Sequence, residues 1–298
     1  MTRAKPVYST KAFITIDEVP GFGQWRAAAR RCLQNGLHPD EIQWRTGESA
    51  VAPMLDLFSA QAPQEQPENT SVNGSVKVHQ KFITLAEVAS CHHNPDRFSL
   101  LYRLLWRQQR EGSHLLARAT DDDVLAFQKL VKAVYRDAYK IKAYLRFREV
   151  RQPAADTGKP QAGDDAVTQY AAQYFAQYVA WYEPEHYSLE LVLPFFTTRF
   201  KNMRWSILTP YRAAHWDGES LQFADNPESS LYPKDDAIEQ YWLTYYASIF
   251  NPARVKTKAM LSQMPKKYWK NMPETVLIDQ MLRGAGTRLS KMLLSNAT

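Results

Sequence analysis

The chain has 298 residues, is 45% hydrophobic and 23% charged, and carries 12% aromatic residues including eight Trp. This globular composition excludes a low-complexity chain, and no apolar run approaches the roughly 20 residues that span a bilayer. The formal net charge of +6 and the isoelectric point near 9.1 favour polyanionic partners.

Arg3, Lys5 and Lys11 are followed by no apolar h-region, so the sequence predicts no signal peptide and a cytoplasmic protein. Phe13–Ile16 reads as a short strand. Phe22 to Gln34 places Trp25, Ala28, Ala29, Cys32 and Leu33 at helical spacing, with Gly36 as the residue just past the helix end. Ile42–Trp44 is the expected return strand. Residues 1–60 therefore form a small strand–helix–strand segment. The Gln-, Pro-, Asn- and Ser-rich stretch in 61–80 reads as a linker or long loop.

A main domain is expected over 81–298. Phe82–Ala89 is a short helix, and Asn94-Pro95-Asp96 opens another carrying Phe98, Leu101, Leu104 and Leu105. Thr120, followed by Asp121, Asp122 and Asp123, reads as a capped helix start. Val124, Phe127, Val131, Val134, Ala138 and Ile141 extend that helix on one face. Ala143–Val150 reads as a half-buried strand, or as a helix running into one. As a strand it would put Tyr144, Arg146 and Arg148 on one face. Pro153, Gly158, Pro160 and Gly163 mark a mobile insertion near 152–167. Strands are expected at Val179–Tyr182, Leu189–Leu193, Arg204–Leu208 and Leu221–Phe223, with a helical turn within Pro194–Phe200. Asp235–Phe250 and the segments after Asn251-Pro252 and Pro273 read as helices. The fold class is α+β, with helices flanking a small, mostly antiparallel sheet.

From Asn251 to Thr298 there are nine basic residues against two acids, so this end carries +7 and the preceding 250 residues sum to −1. Four clusters could use such charge. Lys140, Lys142, Arg146 and Arg148 are interleaved with Tyr139, Tyr144 and Phe147. Arg199, Lys201 and Arg204 accompany Phe195, Phe196, Phe200 and Trp205. Arg212 precedes His215-Trp216-Asp217-Gly218. Arg254, Lys256 and Lys258 follow an expected helix start, and Lys266, Lys267 and Lys270 flank Tyr268 and Trp269. Guanidiniums and ammoniums hold phosphates, and aromatic faces stack bases. Each cluster also has a plainer reading as a solvated face or as core aromatics.

Catalytic candidates are few. His215 with Asp217 could form an acid–base pair, and Lys142 could act as an amine nucleophile. A turn in which Asp217 caps the backbone is the competing reading of His215-Trp216-Asp217. Glu183, Glu185 and His186 form a further acid–base group or an exposed turn. Two cysteines, Cys32 and Cys91, exclude a disulfide framework and a four-thiolate metal site. Cys91-His92-His93 lacks the spacing of a tetrahedral centre and an evident second ligand pair, so no metal and no cofactor are expected. No phosphate-binding loop, dinucleotide fingerprint or nucleophile elbow occurs.

Several segments resemble one family. Lys142-Ala143-Tyr144-Leu145-Arg146-Phe147-Arg148 resembles its KAFVRFR element, and Phe196–Phe200 its FxxRF. Trp205–Pro210 with Trp216-Asp217-Gly218 resembles WxIxTP…WDG. Phe250–Arg254 resembles FNPAR, and Met264–Glu274 resembles MPxxYWxNxPE. The order and spacing of these motifs cover about Ile14 to Met292. The family is an uncharacterised set of DNA-metabolism proteins whose members accompany a radical-SAM DNA repair or modification protein. A similar domain is fused to some uracil-DNA glycosylases.

The resemblance implies a DNA-repair or DNA-modification accessory protein, with DNA and the radical-SAM protein as partners. That partner would carry the iron–sulfur chemistry. Lys140, Arg146, Arg148, Arg199, Arg204, Arg212, Arg254 and Lys258 would hold phosphates, and Trp216 and Trp269 would stack bases. The family often has His-Lys-Met where this chain has Tyr139-Lys140-Ile141, which removes a proton-transfer group from that segment. The alternatives are a glycosylase or lyase acting on a damaged base, and a protein-interaction scaffold.

Overall fold

The computed structural model describes residues 12–16, 19–47, 78–150, 177–225, 227, 243, 256–272, 274, 275, 277 and 278. The expected linker, the insertion near 152–167, Arg254 and most of the expected C-terminal helices lie outside the described residues. The fold is α+β, as the sequence predicts. The chain divides into two compact units. One comprises residues 1–138 and 185–191, and the other residues 139–184 and 192–298.

In the first unit, strand β1 (Ala12–Ile16) and strand β2 (Ile42–Thr46) pair in parallel, Ala12 opposite Ile42 and Ile16 opposite Thr46. Parallel pairing needs a crossover, which helix α1 (Phe22–Gln34) supplies. That helix ends where Gly36 takes φ 68°. Gly36 N–H donates to Leu33 O at 3.1 Å and Leu37 N–H to Cys32 O at 3.0 Å. This is the Schellman closure, and it requires a residue that tolerates the left-handed region.

Trp25, Ala28, Ala29 and Cys32 of α1 pack with Ile42 and Trp44 into a core shared with three more helices. These are α2 (Gln80–Ser90), α3 (Arg97–Glu111) and α4 (Asp122–Tyr144). The expected apolar face of α3 is buried throughout: Phe98, Leu101, Leu104 and Leu105. The start of α4 is capped one residue later than expected. Asp121, not Thr120, accepts from Val124 N–H at 3.2 Å. Arg107 explains the shift, because it bonds both Asp121 oxygens and Asp123, fixing the loop ahead of the helix.

The second unit is built on a five-stranded sheet in the order β3-β4-β5-β6-β7. Its strands are β3 (Arg148–Glu149), β4 (Tyr178–Trp181), β5 (Trp205–Leu208), β6 (Arg212–Trp216) and β7 (Leu221–Asp225). Only β4 and β5 run parallel.

One expectation is corrected here, one choice is settled and one strand is added. Leu189–Leu193 is not a strand but the start of helix α5 (Leu189–Arg199), which contains Pro194. Its buried residues Leu189, Val192, Leu193 and Phe196 follow the 3.6-residue period, and the parallel β4–β5 pair needs a crossover of this kind. Of the two readings of Ala143–Val150, the helix running into a strand holds: α4 continues to Tyr144 and only Arg148–Glu149 pairs, so Tyr144, Arg146 and Arg148 do not share a strand face. Strand β6 is an addition to the expected set.

Helix α6 (Thr257–Gln263) and a 3-10 turn over Lys266–Asn271 follow the sheet in the chain. No described helix is long and apolar enough to cross a membrane.

Candidate nucleic-acid interface

Among the described residues, the basic side chains of the second unit considered as phosphate ligands fall into two groups. The first is consumed by the fold. Arg146 Nε and Nη2 donate to Glu274 Oε1 at 3.0 and 2.6 Å, and Nη1 donates to the carbonyls of Ala143 and Leu145. The Glu274 side chain is 3% exposed. Arg146 is therefore the counter-ion of a buried carboxylate, and the expectation that it holds phosphate is corrected. Arg148 lies half-buried in β3, opposite Val179. Arg212 begins β6, 3.5 Å from Asp225 and over the exposed ring of Phe223.

The second group faces solvent. Lys142, Arg199, Arg204 and Lys258 are exposed. So are Lys256, Lys266, Lys267 and Lys270, in a stretch from 256 to 272 that contains no acid. Aromatics are interleaved with these charges. Tyr268 is stacked between Tyr144 and Tyr182, at centroid distances of 5.7 and 5.4 Å. The ammoniums of Lys140 and Lys267 lie 5.4 and 4.9 Å from its ring centroid. Lys266 sits 5.6 Å from the ring of Trp269, whose indole N–H donates to Met264 O at 3.1 Å. Lys270 bonds Glu183 at 2.5 Å, and Trp181 donates to the same carboxylate oxygen at 2.9 Å. The 3-10 turn is thus tied to β4, and its lysines are carried on an ordered support.

Trp216 is half-buried. It stacks on Trp205 at 6.4 Å and donates to Lys201 O at 3.2 Å, so one face is already occupied. Of the three phenylalanines in α5 and just after it, Phe196 is core, Phe200 is half-buried and Phe195 is 40% exposed. Lys142 lies 5.6 Å from the Phe195 ring. A lysine nucleophile needs a desolvating pocket. Lys142 is instead a surface cation over an aromatic face, which corrects its catalytic reading.

A family model described as a domain of unknown function, DUF4130, matches residues 95–274, well over half of the chain. The protein belongs to the DUF4130 family. Among curated proteins and among solved structures, nothing matches.

In this DUF4130 protein the expected acid–base pair does not form. His215 and Ser206 face each other across β5 and β6, Nδ1 to Oγ at 2.7 Å, and are only 2% and 0% exposed. Asp217 closes the β6–β7 turn. Its Oδ1 accepts from Glu219 and Ser220 N–H at 2.8 Å, and its Oδ2 accepts the Ser220 hydroxyl at 2.7 Å. Those donors hold its carboxyl down at about 2. The carboxylate serves the turn rather than the imidazole, and the imidazole is sealed from substrate.

Burial also pushes His215 down to about 4. The unfolded chain then binds a proton that the fold does not, so stability is unaffected above about pH 6.5 and falls as pH drops towards 4. The loss is about 1.4 kcal/mol per pH unit, roughly 3 kcal/mol in total. Denaturant titrations from pH 7 to 4.5 should show a shallower pH slope for His215→Asn than for wild type; parallel slopes would contradict the assignment. Asp217 titrates below this window and does not confound it.

The first unit holds a cluster that the sequence reading does not assemble. His92 and His93 follow α2, and His186 precedes α5. The three rings stack with centroids 4.1 to 4.8 Å apart. His93 Nδ1 is 2.8 Å from His186 Nδ1 and 3.1 Å from Glu185 O. Glu183 and Glu185 are exposed, as a turn predicts, whereas His186 is 5% exposed. Asp137, which sequence reasoning does not single out, explains that burial. Its carboxylate accepts Glu185 N–H at 3.1 Å, His186 N–H at 3.0 Å and the Ser188 hydroxyl at 2.7 Å. Cys91 is buried beside the pair, and burial pushes its thiol up to about 12.

Proposed function

We propose that this DUF4130 protein binds DNA through its second unit, as an accessory protein of DNA repair or modification. The observation that carries this reading is the acid-free stretch from 256 to 272, with five exposed lysines set around Tyr268 and Trp269. Such a surface suits a phosphate backbone with neighbouring unpaired bases, because the charges hold phosphate and the half-buried ring of Trp269 offers stacking area. Lys140, Lys142, Arg199 and Arg204 extend the positive surface within the same unit. The motif resemblance adds the context: DNA is the polyanion, and a radical-SAM protein is the partner that carries the redox chemistry. The settings of His215, Asp217 and Lys142 favour this binding role over a glycosylase or lyase.

Fluorescence anisotropy with single- and double-stranded DNA, intact, uracil-containing or abasic, tests the reading across a salt series. Binding should weaken steeply with salt. The variant Lys256→Glu/Lys258→Glu/Lys266→Glu leaves the Lys270–Glu183 bond in place. It should lower the slope of log K against log salt by about 0.7–0.9 for each phosphate that the variant no longer holds. Salt-independent binding, or an unchanged slope in the variant, would sink the proposal.

A further inference from the structure

We propose that His92, His93 and His186 form a binding site for a divalent first-row transition-metal ion, of which zinc is the representative. The nearest nitrogens of the three imidazoles all lie within 4.8 Å of one another. Imidazole nitrogen is a preferred donor for zinc and its neighbours, and three such donors leave one position open for water or another ligand. Two of the donors come from one segment and the third from a loop 93 positions further on.

For the His93–His186 pair the spacing is close to what an ion needs, and His92 has to move in to join them. Metal–nitrogen distances of about 2.0–2.1 Å in a tetrahedral site separate donor atoms by roughly 3.3 Å. His93 and His186 present their Nδ1 atoms to each other at 2.8 Å. Only one N–H can lie between them. Moving that proton to Nε2 of the same ring, and opening the gap by about half an ångström, turns two facing lone pairs into two ligands. No net proton is lost in this step. His92 Nδ1 accepts Asn94 N–H at 3.0 Å, a bond it would give up to coordinate through that atom.

The support around the cluster is that of a built site. Asp137, itself 1% exposed, clamps the backbone of Glu185 and His186 and the hydroxyl of Ser188. Tyr187 N–H donates to Cys91 O at 2.8 Å, which ties the His186 loop directly to the residue before His92. The charges nearby offset each other. The buried guanidinium of Arg97 acts on His92, while the carboxylate of Asp137 acts on His186. The cluster grades from buried His186 through half-buried His92 to exposed His93, so an ion can enter from the His93 side.

The test uses the full-length protein, stripped with a chelator and titrated with Zn2+ and separately with Co2+. Elemental analysis should find about one zinc per chain. Zinc should raise the thermal midpoint, and Co2+ should give visible bands of a nitrogen-ligated centre. His93→Ala removes the exposed ligand and leaves the buried loop intact. It should weaken zinc binding on the order of 100-fold and abolish the thermal shift, which is read against the variant's own metal-free midpoint because the lost His93–His186 hydrogen bond lowers that midpoint. His92→Ala should do the same. Substoichiometric zinc in the wild type, or wild-type affinity in both variants, would overturn the site and leave the cluster as packed neutral imidazoles. DNA binding is measured on the same samples, so failure of this site and failure of the DNA reading are distinguishable.

Discussion

Arg146→Ala is expected to cost about 3–5 kcal/mol of stability, because it leaves the Glu274 carboxylate buried without its counter-ion. The carboxylate is 3% exposed, and its second oxygen, Oε2, has no hydrogen-bond partner among the described residues. The remaining oxygen takes both Arg146 bonds, at 3.0 and 2.6 Å. Alanine also strips the donors from the carbonyls of Ala143 and Leu145, where α4 turns towards β3. The double variant Arg146→Met/Glu274→Leu should recover much of the loss, since replacing both partners of a buried pair by apolar groups is often neutral. Chemical denaturation of the three proteins checks this. A loss under about 1 kcal/mol in Arg146→Ala would make the pair a surface-type contact and return Arg146 to the pool of phosphate ligands. The same experiment separates a stability role from a binding role. If the pair is structural, folded Arg146→Ala protein keeps the salt slope of the wild type.

Features of this fold are legible in the sequence where their signals are local. Helix α1 is legible to the residue, because five apolar positions at helical spacing and a glycine past the end are all local signals. Strands β1, β2, β4 and β5 are legible to within one or two residues at their ends. Helix α5 is not. Leu189, Val192, Leu193 and Phe196 do carry the helical period, but Pro194 within eleven residues argues for a break. The proline is the sixth of the eleven residues, and burial of the helix's apolar face offsets the backbone bond that it cannot donate. Strand β6 is invisible because Arg212-Ala213-Ala214-His215 lacks the β-branched residues of a strand. It pairs on both edges because β5 and β7 flank it.

The site residues divide in the same way. The lysines around Tyr268 and Trp269 are legible as a charge pattern, and their exposure agrees with it. Arg146 looks like its neighbours in composition. Its role depends on a glutamate 128 positions away, and no spacing reports that. The three histidines have both halves in view, but joining them requires the loop that Asp137 holds.

Asp137→Ala should therefore be strongly destabilising. Three donors converge on this carboxylate, two of them backbone N–H groups, and the residue is 1% exposed. Removing it strands the His186 N–H and the Ser188 hydroxyl in a buried setting. Each unsatisfied buried donor costs about 1–3 kcal/mol, so the total is expected at roughly 3–5 kcal/mol. Asn is the informative comparison. Its carbonyl oxygen can keep one or two of the three bonds, but its amide nitrogen meets a donor where the wild type has an acceptor. Asp137→Asn should lie between wild type and Asp137→Ala, and Ser188→Ala, which removes one donor together with its need for a partner, should cost least. Denaturant midpoints fix the order of the four proteins. If Asp137→Asn matches wild type, charge on this carboxylate contributes nothing, and geometry alone holds the loop. If it matches Asp137→Ala, all three bonds require the carboxylate form.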